Sequence, residues 1–346
     1  ERHTGESGII YCLRRADVDA MTRTLAGQGY RVAPYHAGLT DEERKRSQNA
    51  FIHEEADIIV ATVAFGMGID KSNVRYVIHA AMPKSLEHYQ QESGRAGRDG
   101  LEAECCLLFS GADYLTWKRI LEDSEPQMLE TGAAKLGSMY RYCTGASCRH
   151  RAILHYFDQI LDRDNCGACD ICLSEVGGVT DALVLSQKIL SSIIRQGERY
   201  GAEYTAGVLS GSREDRILAN RHDRLSTYGL LKASDRSAVR DWIEQLADQE
   251  YIERTGEYGV LRVTGKGRLV LKGDATPLLL EPSKKKAFRK PPAANASPES
   301  MDQAVLNDLR RLRLELARQR GVPAYIIFGD ATLRDLAGKR PATAED

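Results

Sequence analysis

The chain has 346 residues, 42% of them hydrophobic and 28% charged, and its 48 Lys and Arg against 49 Asp and Glu leave a net charge of −1. Such a composition supplies apolar material for several cores, and the length points to two or three domains at about 100 to 200 residues each. No apolar run of membrane-spanning length and no charged-then-apolar leader occurs in the sequence, so a membrane or secretory reading is set aside. Balanced charge neither announces nor excludes nucleic acid, because a basic strip can be offset by acidic residues elsewhere. The sequence opens on Glu1, which reads as a soluble piece of a longer chain. Eight cysteines without a secretory signal point to a reducing compartment, where clustered Cys are metal ligands more often than disulfides.

Residues 1 to 122 alternate short apolar runs with helical patterns. The runs Ile9–Leu13, Arg31–Tyr35, Ile58–Ala61, Val74–Ile78 and Cys105–Phe109 read as buried strands, with helices over 15–28, 40–51 and 85–93 between them. This is the pattern of an α/β domain on a parallel sheet. Ligands gather at the carboxyl ends of such strands, where His36-Ala37-Gly38-Leu39 and the glycine-rich Ala64–Asp70 fall. Cys12, Cys105 and Cys106 lie in strand patterns and read as small buried hydrophobes.

Next comes Gln91-Glu92-Ser93-Gly94-Arg95-Ala96-Gly97-Arg98-Asp99-Gly100, closing the third helix. Guanidinium forks beside bare glycine backbone suit a phosphate or carboxylate. No G-x-x-x-x-G-K-[ST] loop occurs in the chain, so the rest of a phosphate site has to come from elsewhere. Taken alone, the two arginines also suit a helix C-terminus, where cations are favoured.

Residues 123 to 177 are helical and cysteine-bearing. Cys166-Gly167-Ala168-Cys169-Asp170-Ile171-Cys172 places three thiols within reach of one metal, and Cys143 or Cys148 can complete a tetrahedron. A ferredoxin-type run would want a fourth Cys where Val176 stands, which favours zinc. Four thiolates leave no open position for water, so the metal is structural.

From 178 to 273, Val239, Trp242, Ile243 and Leu246 recur at helical spacing behind the caps Ser234 and Asp235, and a hairpin follows over Tyr251–Val263. Trp242 reads as core, and Tyr258 at the hairpin tip as a surface tyrosine. Residues 274–300, with Lys284-Lys285-Lys286, read as a flexible basic linker. Beyond it Leu306, Leu309, Leu312 and Leu316 mark a helix, in a segment of about forty residues that is short for a core of its own.

These motifs in this order resemble the RecQ family of DNA helicases. The resemblance covers nearly the whole chain: the second of two RecA-like motor domains (1–122), a helical zinc-binding subdomain (123–177), a winged helix (178–273) and a partial helical HRDC domain (301–346). It implies an ATP-dependent 3′-to-5′ DNA helicase of repair and recombination. The phosphate loop and the DEAH-type, magnesium-holding box belong to a first motor domain missing from this chain. Carried over by position, Arg98 resembles the arginine finger and Arg95 a second γ-phosphate ligand, with Gln91 bridging. Gly68 and Asp70 resemble the nucleotide-contacting segment. The resemblance selects Cys148 over Cys143 as the fourth metal ligand, and implies DNA contacts at His36, Gly38, Thr62, Ser212 and Lys232. Ser210 and Leu231 depart from the family pattern, where a basic residue and a glycine are common. The expected partners are single- and double-stranded DNA and the missing motor domain. The expected location is the bacterial cytoplasm and nucleoid, or a nucleus. Two rival readings stand beside this one: a non-catalytic winged-helix and zinc DNA-binding protein on a decayed motor half, and an assembly whose phosphate loop comes from a second polypeptide.

Overall fold

The computed structural model describes residues 3, 5–63, 65, 71–122, 126–163, 165–256, 259–281, 303–341 and 343. They form two compact units, Glu1–Leu136 with Phe288–Asp346, and Gly137–Ala287.

In the first unit five parallel strands, β1 (Ser7–Tyr11), β2 (Val32–Tyr35), β3 (Ile58–Ala61), β4 (Val74–His79) and β5 (Glu104–Leu107), run in the order β2-β3-β1-β4-β5. The central strands are buried on both faces, which is why their sequences are continuous apolar runs rather than alternations. Ile9, Tyr11, Ile59, Ala61 and Val77 face one layer with Phe51 and Phe65. Ile10, Ile58, Val60 and Tyr76 face the other, packed on Val18 of α1 (Arg15–Gly27). Gly8 has to be glycine, because a Cβ there would lie 2.0 Å from the ring of Tyr76 on the neighbouring strand. The helix α2 (Asp41–Ile52) opens on a capping box, in which Thr40 accepts the Glu43 N–H and Glu43 accepts the Thr40 N–H. Ser85 caps α3 (Leu86–Ser93), and α4 (Gly111–Glu122) follows β5.

The C-terminal segment of this unit folds as α12 (Gln303–Arg320), α13 (Ala324–Ile327) and α14 (Asp330–Lys339), around Leu306, Leu333 and Ala337. Leu312 is exposed, whereas Arg313 is buried, 2.6 Å from Asp330 and 3.4 Å from Glu54. Glu54 also takes the fully buried Lys71 at 3.4 Å. Burial would raise the Glu54 pKa, but these two cations hold it below the usual carboxylate range.

The second unit begins in α5 (Pro126–Thr144), continues through α6 (Arg149–Tyr156), and then builds a winged helix. Its parts are α7 (Ala182–Arg195), α8 (Ala202–Ser210), α9 (Asp215–Ala219), α10 (Arg236–Asp248), the antiparallel pair β6 (Ile252–Thr255) and β7 (Val260–Val263), and α11 (Gly265–Lys272). Val239, Trp242, Ile243 and Leu246 all enter its core. Asp235 is the N-cap residue of α10, but its side chain makes no capping hydrogen bond. Residues 274–281 correct the expectation of linker from 274. Leu279 is fully buried, Leu280 accepts the Trp242 indole N–H at 2.9 Å, and Gln249 donates to the Leu278 carbonyl at 2.7 Å. Tyr258 lies outside the described residues, as does the rest of the expected linker.

Candidate functional site

The loop after α3 is fastened to β4. Gly97 adopts φ +66°, a Cβ there would come 2.9 Å from the Leu101 carbonyl, and its N–H donates to the Val74 carbonyl at 2.9 Å. Arg75, 1% exposed, spans both oxygens of Asp99 at 2.5 Å and donates to the Glu102 carbonyl at 3.1 Å. On this fixed loop Arg95 is buried and its Nε has no partner. Among the described residues no carboxylate lies within ion-pairing distance of it. A buried guanidinium without a counter-ion is costly and is built to receive an anion. Arg98 is exposed, with Nε donating to the Gly94 carbonyl at 3.2 Å, and Gln91 is exposed on the last turn of α3. The structure therefore brings Gln91, Arg95 and Arg98 into one short segment. Gly68 and Asp70 lie outside the described residues.

Behind Arg95 stand residues the sequence reading passed over. Tyr11, last in β1, donates to the Phe65 carbonyl at 3.0 Å and stacks on His79, last in β4, with centroids 5.3 Å apart. Burial pushes the Tyr11 phenol upward, and the facing Arg95 guanidinium works against that. His79 Nε2 lies 2.8 Å from Glu92 Oε2, and both side chains are buried. Glu92 sits inside the quoted motif, but its partner is thirteen residues away on another element.

His36, Gly38 and Thr62 come together because β2 and β3 are neighbours in register, Tyr35 opposite Ala61. The structure places the His36 ring inside. Its Nδ1 accepts the Gly38 N–H at 3.1 Å, and Nε2 contacts Asp19 Oδ1 at 3.1 Å. An accepting Nδ1 puts the proton on Nε2, so the ring shapes the turn. The exposed backbone at Gly38 is what the turn presents outward. Thr62 is half-buried, its N–H donating to the Tyr35 carbonyl at 3.2 Å.

In the second unit Cys148, Cys166, Cys169 and Cys172 place their Sγ atoms within 4.8 Å of one another, Cys148 and Cys169 at 4.0 Å. A tetrahedron with Zn–S of about 2.3 Å has S···S edges of about 3.8 Å, so the donor set fits zinc. Cys143, half-buried on α5, is not in the cluster. The N–H groups of Arg149 and Cys172 donate to Cys169 Sγ at 3.5 and 3.4 Å. Arg149 bonds both oxygens of Asp170 at 2.9 and 3.0 Å and the carbonyls of Tyr142 and Gly145 at 2.5 and 3.0 Å. The sequence signal for this clamp was available, since Arg149 and Asp170 each directly follow a clustered cysteine. Cys12 is buried as expected, but Cys105 is exposed and Cys106 half-buried, because β5 is an edge strand.

In the winged helix Gly211, at φ +74°, ends α8 and lies against Gly229. Tyr228 donates to the carbonyls of Gly211 and Ser212 at 3.0 and 3.1 Å. This ties the half-buried Ser212 to the segment carrying the exposed Lys232. Leu231 packs into the core.

A parallel α/β domain with an arginine-bearing loop, a closed four-thiol site and a winged helix define a class, the helicase-type domain with metal-binding and winged-helix appendages. Family models match in that order: the helicase conserved C-terminal domain over residues 1–100, RecQ zinc-binding over 111–173, the RQC domain over 178–287 and the HRDC domain over 302–346. The chain belongs to the RecQ family and corresponds to its C-terminal part. It is 39% identical over 343 residues to the ATP-dependent DNA helicase RecQ of Bacillus subtilis, covering 99% of this chain and 56% of that one. It is 36% identical over 343 residues to that of Pasteurella multocida, covering 98% and 54%. The chain thus spans about half the length of the curated relatives it matches. Among solved structures, domain 2 of the Mss116p DEAD-box helicase aligns with 36% of this chain and 49% of that one, at 26% identity and a TM-score of 0.30.

Proposed function

We propose that the full-length protein containing this chain is an ATP-dependent DNA helicase of RecQ type, moving 3′ to 5′ on DNA in repair and recombination. In this reading the chain forms one wall of an interdomain cleft. A triphosphate and its Mg²⁺ are seated on a first motor domain, and Arg98 and Arg95 reach the γ-phosphate from this side with Gln91 between them. Gly68 and Asp70 complete the nucleotide contact.

Charge that spreads over the transferred phosphoryl oxygens is neutralised only when the cleft closes, which makes hydrolysis depend on domain closure. Closure and release then ratchet single-stranded DNA past Gly38 and Thr62, on a turn shaped by His36. Ser212 and Lys232 hold duplex phosphates on the winged helix, contacts that position without reading sequence. Cys148, Cys166, Cys169 and Cys172 hold a structural zinc ion. The protein works beside DNA inside the cell, in a nucleoid or nucleus. These 346 residues alone bind DNA and zinc and hydrolyse no ATP.

The observation that carries this reading is the buried Arg95 guanidinium without a counter-ion, on a loop fastened by Arg75 and Asp99. Its test is Arg98→Ala in the full-length protein, with DNA-stimulated ATP hydrolysis and DNA affinity measured together. The expected result is turnover lower by about 10³-fold or more with DNA affinity retained. Turnover near wild type refutes the assignment.

A further inference from the structure

Glu92 lies on the last turn of α3 and Arg95 two residues past its end, joined by a turn in which the Arg95 N–H donates to the Glu92 carbonyl at 3.3 Å, and both side chains act on Tyr11, so a carboxylate and a guanidinium stand near enough to compete for each other. They do not pair. Glu92 Oε2 is 2.8 Å from His79 Nε2, Glu92 Oε1 is buried with no partner, and Arg95 Nε is likewise buried and unpartnered. The His79 ring is itself wedged, stacked on Tyr11 at 5.3 Å and tilted against Tyr89 at 5.0 Å. Two opposite buried charges one turn apart, each with an unused hydrogen-bonding atom, stay separate only because something holds one of them.

We propose that His79 is a positioning residue: the wedged ring's hydrogen bond to Glu92 withholds the carboxylate that would otherwise neutralise Arg95, leaving the guanidinium available for a phosphate. Tyr11 completes the device. Its hydroxyl faces Arg95 and donates to the Phe65 carbonyl, so the arginine and the loop after β3 share one anchor at the carboxyl end of β1. The inference deepens the helicase reading and rests on it.

The test uses the full-length protein. His79→Phe keeps an aromatic ring between Tyr11 and Tyr89 but removes the bond to Glu92, and the freed carboxylate turns to Arg95. Turnover is expected to fall about 10- to 100-fold, the rate equivalent of losing one charge-assisted contact in the transition state. In the double variant His79→Phe/Glu92→Gln the competing charge is gone, and turnover returns to within about threefold of wild type. A merely structural role for His79 predicts the opposite, a double variant no faster than the single one, and that result overturns the proposal. Wild-type turnover in His79→Phe overturns it as well. Should His79→Phe not fold, His79→Asn, too short to span to Glu92 and adding no bulk, takes its place with the same expectation and the same Glu92→Gln rescue. Tyr11→Phe, which keeps the stack and removes the hydroxyl, is expected to lower turnover about three- to tenfold at unchanged DNA affinity. Unchanged turnover there removes Tyr11 from the device. If the wild-type protein shows no DNA-stimulated ATP hydrolysis, the functional reading falls and this inference with it. If it hydrolyses ATP but the double variant is not rescued, only the inference falls.

Discussion

Arg149→Met should unfasten the metal site without touching a ligand. The guanidinium makes four hydrogen bonds, two to Asp170 and one each to the carbonyls of Tyr142 and Gly145. Burial alone would lower the Arg149 pKa, and Asp170 more than restores it. Breaking a buried pair on one side costs about 3 to 5 kcal/mol. Asp170 is 35% exposed, so water re-solvates part of what Met leaves behind, and the cost is about 3 kcal/mol. For a unit of this size that corresponds to a midpoint lower by about 6 to 12 °C. Because the clamp joins the residue after Cys148 to the residue after Cys169, metal affinity should fall about 10- to 100-fold, as when other outer-shell partners are lost. Competition with a chromophoric zinc chelator reads the affinity, and calorimetry the midpoint. Arg149→Lys should fall between, since an ammonium cannot match both carboxylate oxygens as a fork does. A zinc affinity within about twofold of wild type in the Met variant, with a midpoint shift under about 2 °C, refutes the clamp.

Removing zinc with a strong chelator should expose the amides of 148–172 to hydrogen exchange and weaken DNA binding, because binding energy at a closed thiolate site doubles as folding energy. Unchanged exchange there after metal removal would contradict a structural role. Asp248→Asn concerns pH. Burial raises the Asp248 carboxyl from 3.8 to about 6, with Arg141 opposing. A carboxyl whose folded pKa is raised favours the folded state only while protonated. That contribution is present below about pH 4 and is lost as pH rises through about 6. Asp248 is more than a third exposed, so solvent screens much of the charge and at about pH 7.5 it is a liability of about 1 kcal/mol or less; the Asn variant should melt slightly higher there, with the gap narrowing towards pH 5. A gap that stays constant over that range would show that Asp248 does not titrate as argued.

Features defined by neighbours in sequence were legible, and features defined by neighbours in space were not. Strands buried on both faces announce themselves as apolar runs, and the expected runs coincide with β1 to β5 to within two residues at either end. Three thiols at fixed local spacing likewise announce a metal, needing only a fourth. By contrast, the leucine spacing at 306, 309, 312 and 316 marks α12 but not its inner face, since Arg313 is drawn inward by Asp330 and Glu54 while Leu312 stays out. Residues 274–281 read as linker because the groups that hold Leu278 and Leu280, among them Trp242 and Gln249, lie 38 and 29 residues upstream on another element.

The same distinction bears on how the site is recognised. Among the described residues four Lys and Arg side chains are buried: Lys71, Arg75, Arg95 and Arg313. Three have carboxylates, Lys71 with Glu54, Arg75 with Asp99, and Arg313 with Asp330 and Glu54. Such pairing is what burial of charge ordinarily demands. Among the described residues Arg95 alone has no such partner, although Glu92 stands one turn away with an unused oxygen. In the sequence all these residues are equivalent letters, and even Gly94-Arg95-Ala96-Gly97-Arg98 does not say which arginine is enclosed. Only the packing of β1, β4 and α3 separates a cation that is part of the core from one kept in reserve, and the one left without a carboxylate is where an anion has to come from outside the chain.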